Sequence, residues 1–140
     1  MRPGVILMAI STTIMSLSAA EANTASNPPM VRIAEIEVDP AQLDAYKTLL
    51  AEEQEASVRL EPGVLMLHSV AIVGQPSQIR LLEVYSDRTA YETHIRSPHF
   101  VKYKSATERM VKSLRLIDTA PILLCAKAQG GEANPSFACR

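Results

Sequence analysis

LEVYSDRTAYETHIRSPHF, residues 82–100, holds the transition on which the fold turns. Just before and within it, Ile79, Leu81, Glu83 and Tyr85 alternate along Gln78 to Ser86, the period of a strand. Asp87 is placed to cap a short helix over Arg88 to Ile95, because its carboxylate can accept the free amides of a first turn. Ser97-Pro98 repeats the device, with a hydroxyl at the cap and a proline where no amide is missed. Beyond it Phe100, Tyr103, Met110 and Leu114 recur at helical spacing. A strand running straight into two capped helices is predicted.

Upstream, Gly74-Gln75-Pro76-Ser77 reads as a turn that makes a hairpin of this strand and an earlier one. That earlier strand, Val64 to Val73, is apolar at nearly every position, which predicts a strand covered on both faces. Before it, Asp39 can cap a helix from Pro40 to about Leu60, with Gln42 completing a capping box and Val38 stapling onto Leu43. Leu43, Tyr46, Leu50 and Val58 lie near one face of that helix, and Lys47, Glu52, Glu53 and Glu55 are left for water. Pro62-Gly63 ends it. Val31, Ile33, Ile36 and Val38 mark a first strand whose alternation slips near Ala34. A last strand falls within Leu114 to Cys125, broken or held to a sheet edge by Pro121. The order β-α-β-β-α-α-β predicts an α+β, ferredoxin-like fold with a four-stranded antiparallel sheet. Its helices would lie on one face, and a second copy of the chain is the economical cover for the other.

The 140 residues suit one domain, and 14 basic residues against 15 acidic ones give bulk electrostatics no hold on a polyanion. Nucleic acid is not an expected partner. Arg2, the apolar run Val5 to Leu17 and the small residues Ser18, Ala19, Ala20 and Ala22 read as an export signal over residues 1–22. A retained membrane helix is the alternative, disfavoured because Ser11, Thr12 and Thr13 interrupt a short run. Residues 23–30 then form a linker, 31–125 the domain and 126–140 a tail, so the mature protein is expected in the periplasm or secreted, with no membrane association once the signal is removed. In that compartment Cys125 and Cys139 can bridge, although two separate thiols with Cys125 buried fit the sequence equally well.

Glu83 stands mid-strand among apolar neighbours with Tyr85 on its side, where a carboxylate needs a hydrogen bond, an ion or water. It serves either a salt bridge or a pocket. His94 and His99 flank Ser97-Pro98 and can converge on a cavity between the helix corner and the sheet, or be satisfied structural histidines. Their spacing is not that of a helical metal pair, and only His68 and Glu83 suggest themselves as further ligands, so no metal is expected. His68 reads as packed or facing a partner. Tyr46, Tyr85, Tyr91 and Tyr103 can edge a core or line a site for a flat ring, with Met66 and Met110 as walls. There is no phosphate-cradling glycine loop, no GxSxG, no CxxC and no HExxH, so no cofactor is expected.

Leu82-Glu83-Val84-Tyr85-Ser86-Asp87, followed by Ala90, His94 and Ser97-Pro98-His99-Phe100, resembles the antibiotic-biosynthesis-monooxygenase domain, and Glu61-Pro62-Gly63-Val64 resembles that family's turn into its second strand. The resemblance implies a dimeric α/β barrel in which two ferredoxin-like sheets pack together, each subunit with a pocket between sheet and helices. It implies activities ranging from cofactor-independent oxygenation of phenols and hydroquinones to haem degradation and isomerisation of small oxygenated metabolites. This chain departs from the family in having no tryptophan, which leaves stacking to tyrosine, Phe100 or methionine, and in its export signal. The reading that follows is a cofactor-free monooxygenase taking a small aromatic substrate and molecular oxygen as a homodimer. His94 would be base or anion partner, Glu83 its orienter or a second base, His99 and Tyr85 pocket donors, and Phe100, Tyr91 and Met66 further substrate contacts. A periplasmic module that binds or sequesters a quinone or aromatic, and an isomerase of a hydroxy-carbonyl compound, are the alternatives.

Overall fold

The computed structural model describes residues 28–127 and the strand 137–139. The expected export signal lies outside the described residues, as do the linker up to residue 27 and most of the tail. Four strands, β1 (Met30–Val38), β2 (Val64–Ile72), β3 (Gln75–Tyr85) and β4 (Val111–Thr119), form one sheet in the order β2-β3-β1-β4. Every neighbouring pair is antiparallel. Helices α1 (Leu43–Leu60), α2 (Arg88–His94) and α3 (Pro98–Thr107) supply the intervening elements, so the fold is the ferredoxin-like α+β arrangement the order predicted. Among the described residues no helix is long and apolar enough to cross a membrane.

Local chemistry explains most of the boundaries. The Asp87 side chain accepts the amide of Ala90 at 2.8 Å and starts α2, and Ser97 Oγ accepts that of Phe100 at 3.3 Å and starts α3. Asp39 does cap, but what it caps is a 3-10 turn over Pro40–Gln42, and α1 begins one residue later. Gln42 does not close a capping box; its side-chain amide reaches Arg109 O instead. The hairpin turn tightens around Gly74, whose φ of 78° favours glycine, so β3 starts earlier than expected, at Gln75.

Three expectations are corrected by tertiary packing. The helical reading through Met110 and Leu114 fails because α3 ends at Thr107, where pairing with β1 takes over from Val111 onward and brings Leu114 opposite Ile36. On α1 the inward stripe is Tyr46, Leu50, Glu53 and Ser57, so Glu53 is buried while Val58 is 52% exposed. A register of i, i+4, i+7, i+11 decides which face turns inward, and here two of its four positions are polar. Finally, β2 is a sheet edge and largely exposed within one chain. Any cover for it must come from elsewhere.

Alternation directs Ala34, Ile36 and Val38 of β1 and Ile79 and Leu81 of β3 toward the helices, where they pack with Tyr46, Leu50 and Tyr103 as the core. The hydroxyls of Tyr46 and Tyr103 meet at 2.6 Å and join α1 to α3. Ile33, Glu35, Leu82 and Val84 point to the opposite face, where Glu35 holds Arg80 and Arg115. Beyond the sheet, β5 (Cys125–Lys127) and β6 (Phe137–Cys139) pair with Cys125 opposite Cys139, and Cys125 is disulfide-bonded.

Candidate active site

Between the sheet and the helices lies a cavity of about 370 Å³, within the range of small-molecule sites. Arg32, Ala34 and Ile36 of β1 and Leu81, Glu83 and Tyr85 of β3 form its floor. Glu53 of α1, Tyr91 and His94 of α2, and Phe100 and Tyr103 of α3 close over it. It opens beside β4, where the lining residues Leu114 and Leu116 are 44% and 49% exposed.

His94, the last residue of α2, is 3% exposed and wedged between Tyr85 and Phe100, with ring centroids 5.4 and 4.8 Å away. Its Nδ1 lies 3.0 Å from Oε1 of Glu61. The same oxygen takes a 2.5 Å hydrogen bond from Nε2 of His99. Partial burial works against the charge on Glu61, but the two imidazole hydrogen bonds outweigh it and hold the carboxyl below its ordinary pKa. An ionised carboxylate only accepts, so both rings donate. In the neutral ring of His94 the lone pair is therefore on Nε2, which sits 3.7 Å from Oε1 of Glu53.

The backbone around Glu61 is built for this contact. Its amide donates to Ser57 O at the end of α1, its carbonyl accepts the amide of Val64, and Gly63 O accepts that of Ser86. A Cβ on Gly63 would collide with that of Ala90, so glycine is what lets α2 pack close enough to bring His94 onto Glu61.

Two more carboxylates face the cavity. Burial raises the pKa of Glu53, opposed by a 2.6 Å hydrogen bond from Ser57 and by the nearby histidines. Burial likewise raises Glu83, against the Tyr85 hydroxyl that donates to it at 3.2 Å and the charges of His94 and Arg32. Burial and then the Glu83 charge push the Tyr85 phenol well above its ordinary value, so it stays a donor. Arg32 stacks on Tyr91 at 4.3 Å and pairs with Asp118 at 2.6 Å, leaving a guanidinium in the cavity floor.

Of the residues singled out from the sequence, His94, Glu83, Tyr85, Tyr91 and Phe100 line the cavity. His99 does not: it stands on the far side of Glu61, beside surface clefts, and reaches the cavity only through that carboxylate. Met66 is also absent from the lining, because strand alternation turns Leu67 inward and Met66 to the other sheet face. The hydrogen-bond partner of His94 Nδ1 is Glu61, while Glu83 bonds Tyr85. His68 is exposed. Sequence reasoning missed Arg32, Glu53 and Glu61. Arg32 shares the parity of Ala34 and Ile36, and Glu53 the helical face of Tyr46 and Leu50, and those periods were the available signal.

Residues 29–106 match the sequence pattern of the family described as Antibiotic biosynthesis monooxygenase. The chain belongs to this family. The match spans β1 through most of α3 and so contains every cavity residue named above except Leu114 and Leu116 of β4. A crystal structure from Bacteroides thetaiotaomicron VPI-5482, provisionally assigned as an antibiotic biosynthesis monooxygenase, is 48% identical, with a TM-score of 0.67 over 68% of this chain and 90% of that one. A provisionally assigned monooxygenase from Lactobacillus acidophilus NCFM is 28% identical, with a TM-score of 0.63 over 64% of this chain and 43% of its own. A Nitrosomonas europaea structure with 18% identity and a TM-score of 0.65 shares the fold, covering 69% of this chain and 92% of that one. A comparison with curated proteins gives no significant match. Membership of the antibiotic-biosynthesis-monooxygenase family supports a general monooxygenase-type role.

Proposed function

We propose that the protein is an exported, dimeric, cofactor-independent monooxygenase of a small phenol or hydroquinone. The observation that carries this reading is the orientation of His94 in the cavity wall: Nδ1–H is tied to Glu61, and Nε2, 3.7 Å from Glu53 and so beyond hydrogen-bond reach of it, is the nitrogen left to accept a proton. That is the geometry of a general base whose proton-accepting atom is chosen in advance. A hydroquinone oxidised to a hydroxyquinone supplies all four electrons needed to reduce O₂, one oxygen entering the ring and the other leaving as water. Such a reaction asks the protein to remove a proton, to hold the resulting anion and to exclude bulk water.

His94 takes the substrate proton, Arg32 and the Tyr85 and Tyr91 edges receive the anion, and Glu53 and Glu83, whose ionisation burial disfavours, face the same cavity. Phe100 and the tyrosines offer faces for a flat ring. Dimerisation is supported by the helix-free face of the sheet, where Leu82 is 37% and Val70 62% exposed. Export is supported by the apolar N-terminal run and by the oxidised Cys125.

The test is oxygen uptake by the purified, metal-free protein against a panel of hydroquinones and polyphenols, with His94→Ala and Glu83→Gln alongside. Uptake above the autoxidation blank that falls about a hundredfold in His94→Ala is expected. Saturable binding without uptake would overturn it in favour of a sequestering module, and product formed without oxygen consumption would reassign the cavity to isomerisation.

A further inference from the structure

We propose that Glu61, His94 and His99 form a binding site for a divalent transition-metal ion of the zinc class. Sequence spacing gives no hint of it, because the third donor comes from the end of α1 and the other two from either side of the α2–α3 corner. Folding brings His94 Nδ1, His99 Nε2 and a Glu61 carboxylate oxygen within 4.8 Å of one another. Two imidazoles and one carboxylate are a donor set for Zn²⁺, Co²⁺ or Ni²⁺, not for Ca²⁺ or Mg²⁺, which take oxygen.

The surroundings match what such a site needs. Tetrahedral zinc with bonds of about 2.0–2.1 Å places its donor atoms about 3.3 Å apart; His94 Nδ1 and Glu61 Oε1 already stand at 3.0 Å. Withdrawing Glu61 from His99 by about an ångström opens room for the ion. The other ring nitrogen of His94 points to Glu53, itself fixed by Ser57, as the outer carboxylate that commonly steadies a metal-bound histidine. Hydrogen bonds from Ser97 N to His94 O, and from Phe100 N to Ser97 Oγ, hold the corner carrying both rings. A surface cleft lined by Leu60, Glu61, Thr93 and His99 gives entry and space for water as a fourth ligand.

The ion displaces the two N–H hydrogen bonds that Glu61 accepts, and each neutral ring moves its proton to its other nitrogen. On the catalytic reading above, the metal-loaded form is therefore inactive, since His94 then carries its proton on Nε2. The site itself does not depend on that reading.

Titration of the purified protein with Zn²⁺ followed by calorimetry, and with Co²⁺ followed by visible absorption, tests the proposal. One ion per chain is expected, with ligand-field bands of a low-coordinate nitrogen–oxygen site. Saturable binding should vanish in His99→Ala, weaken about tenfold to a hundredfold in Glu53→Gln, and be unchanged in His68→Ala. Circular dichroism checks that each variant folds; should His99→Ala not fold, the wild-type Co²⁺ spectrum decides. Absence of stoichiometric uptake or of those bands, or undiminished affinity in folded His99→Ala, overturns it.

Discussion

Glu61 Oε1 accepts hydrogen bonds from both His94 Nδ1, at 3.0 Å, and His99 Nε2, at 2.5 Å, so one carboxylate oxygen sets the tautomer of two rings. Glu61→Ala frees the His94 ring to rotate and to carry its proton on either nitrogen. The expected result is a fall in kcat of about a hundredfold with little change in KM. Glu61→Gln, whose amide oxygen can still accept one N–H, should recover part of the loss. Steady-state kinetics on the two variants check this, and a change confined to KM would assign Glu61 to substrate binding instead.

Glu83 gives the chain a pH dependence of unusual sign. Burial raises its pKa in the folded protein, more than the Tyr85 hydrogen bond and the His94 and Arg32 charges lower it. Between the ordinary carboxylate value and that raised value the folded chain binds more protons than the unfolded one, and stability falls as pH rises. The contribution is whole below the ordinary value and is lost as pH passes through the raised one. Glu83→Gln removes the titration, so its melting temperature relative to wild type should climb as pH rises above the ordinary carboxylate value of about 4 and level off once the raised value is passed. Calorimetry over that range checks it, and a constant difference would refute it.

The Tyr46–Tyr103 hydroxyl pair is buried between α1 and α3. Tyr46→Phe and Tyr103→Phe should each cost about 1–3 kcal/mol, because each leaves the opposite hydroxyl without the partner it was buried with. The double Phe variant should cost less than the sum of the two. Urea unfolding of all four proteins measures the coupling, and strict additivity would show that the two hydroxyls do not support each other.

Gly63→Ala should destabilise by about 1–3 kcal/mol, since the added methyl meets Ala90 and pushes α2 from the sheet. Because α2 carries His94, the proposed activity should fall with it. Ala90→Gly in the same chain should restore much of both. Denaturation and oxygen uptake on the single and double variants check this, and a double variant no better than Gly63→Ala would place the effect elsewhere.

The order of elements was legible because it rests on local chemistry. The caps at Asp87 and Ser97, the Pro62-Gly63 stop and the alternation through Ile79 to Tyr85 are short-range signals, and each marks a real boundary. The end of α3 was not legible, since Met110 and Leu114 suit a helix, and only pairing between β4 and β1 makes Leu114 part of a strand and leaves Met110 in the turn before it. The site divided along the same line. His94, Glu83, Tyr85, Tyr91 and Phe100 follow from the strand parity and the capped corner, whereas Glu53 read as facing water, Glu61 as part of a turn, and Arg32 carried no signal of its own.

What the sequence determined by itself is therefore the α+β order, the family and the segment holding the candidate base, because propensity, capping and periodicity act over a few residues. What only the tertiary structure decided is which charges turn inward and which nitrogen of His94 is free. Burial of a charge depends on partners distant in the chain: Glu61 lies 33 residues from His94 and Arg32 lies 86 from Asp118. No local pattern encodes such a pair, and its cost is met only once both partners have been brought together.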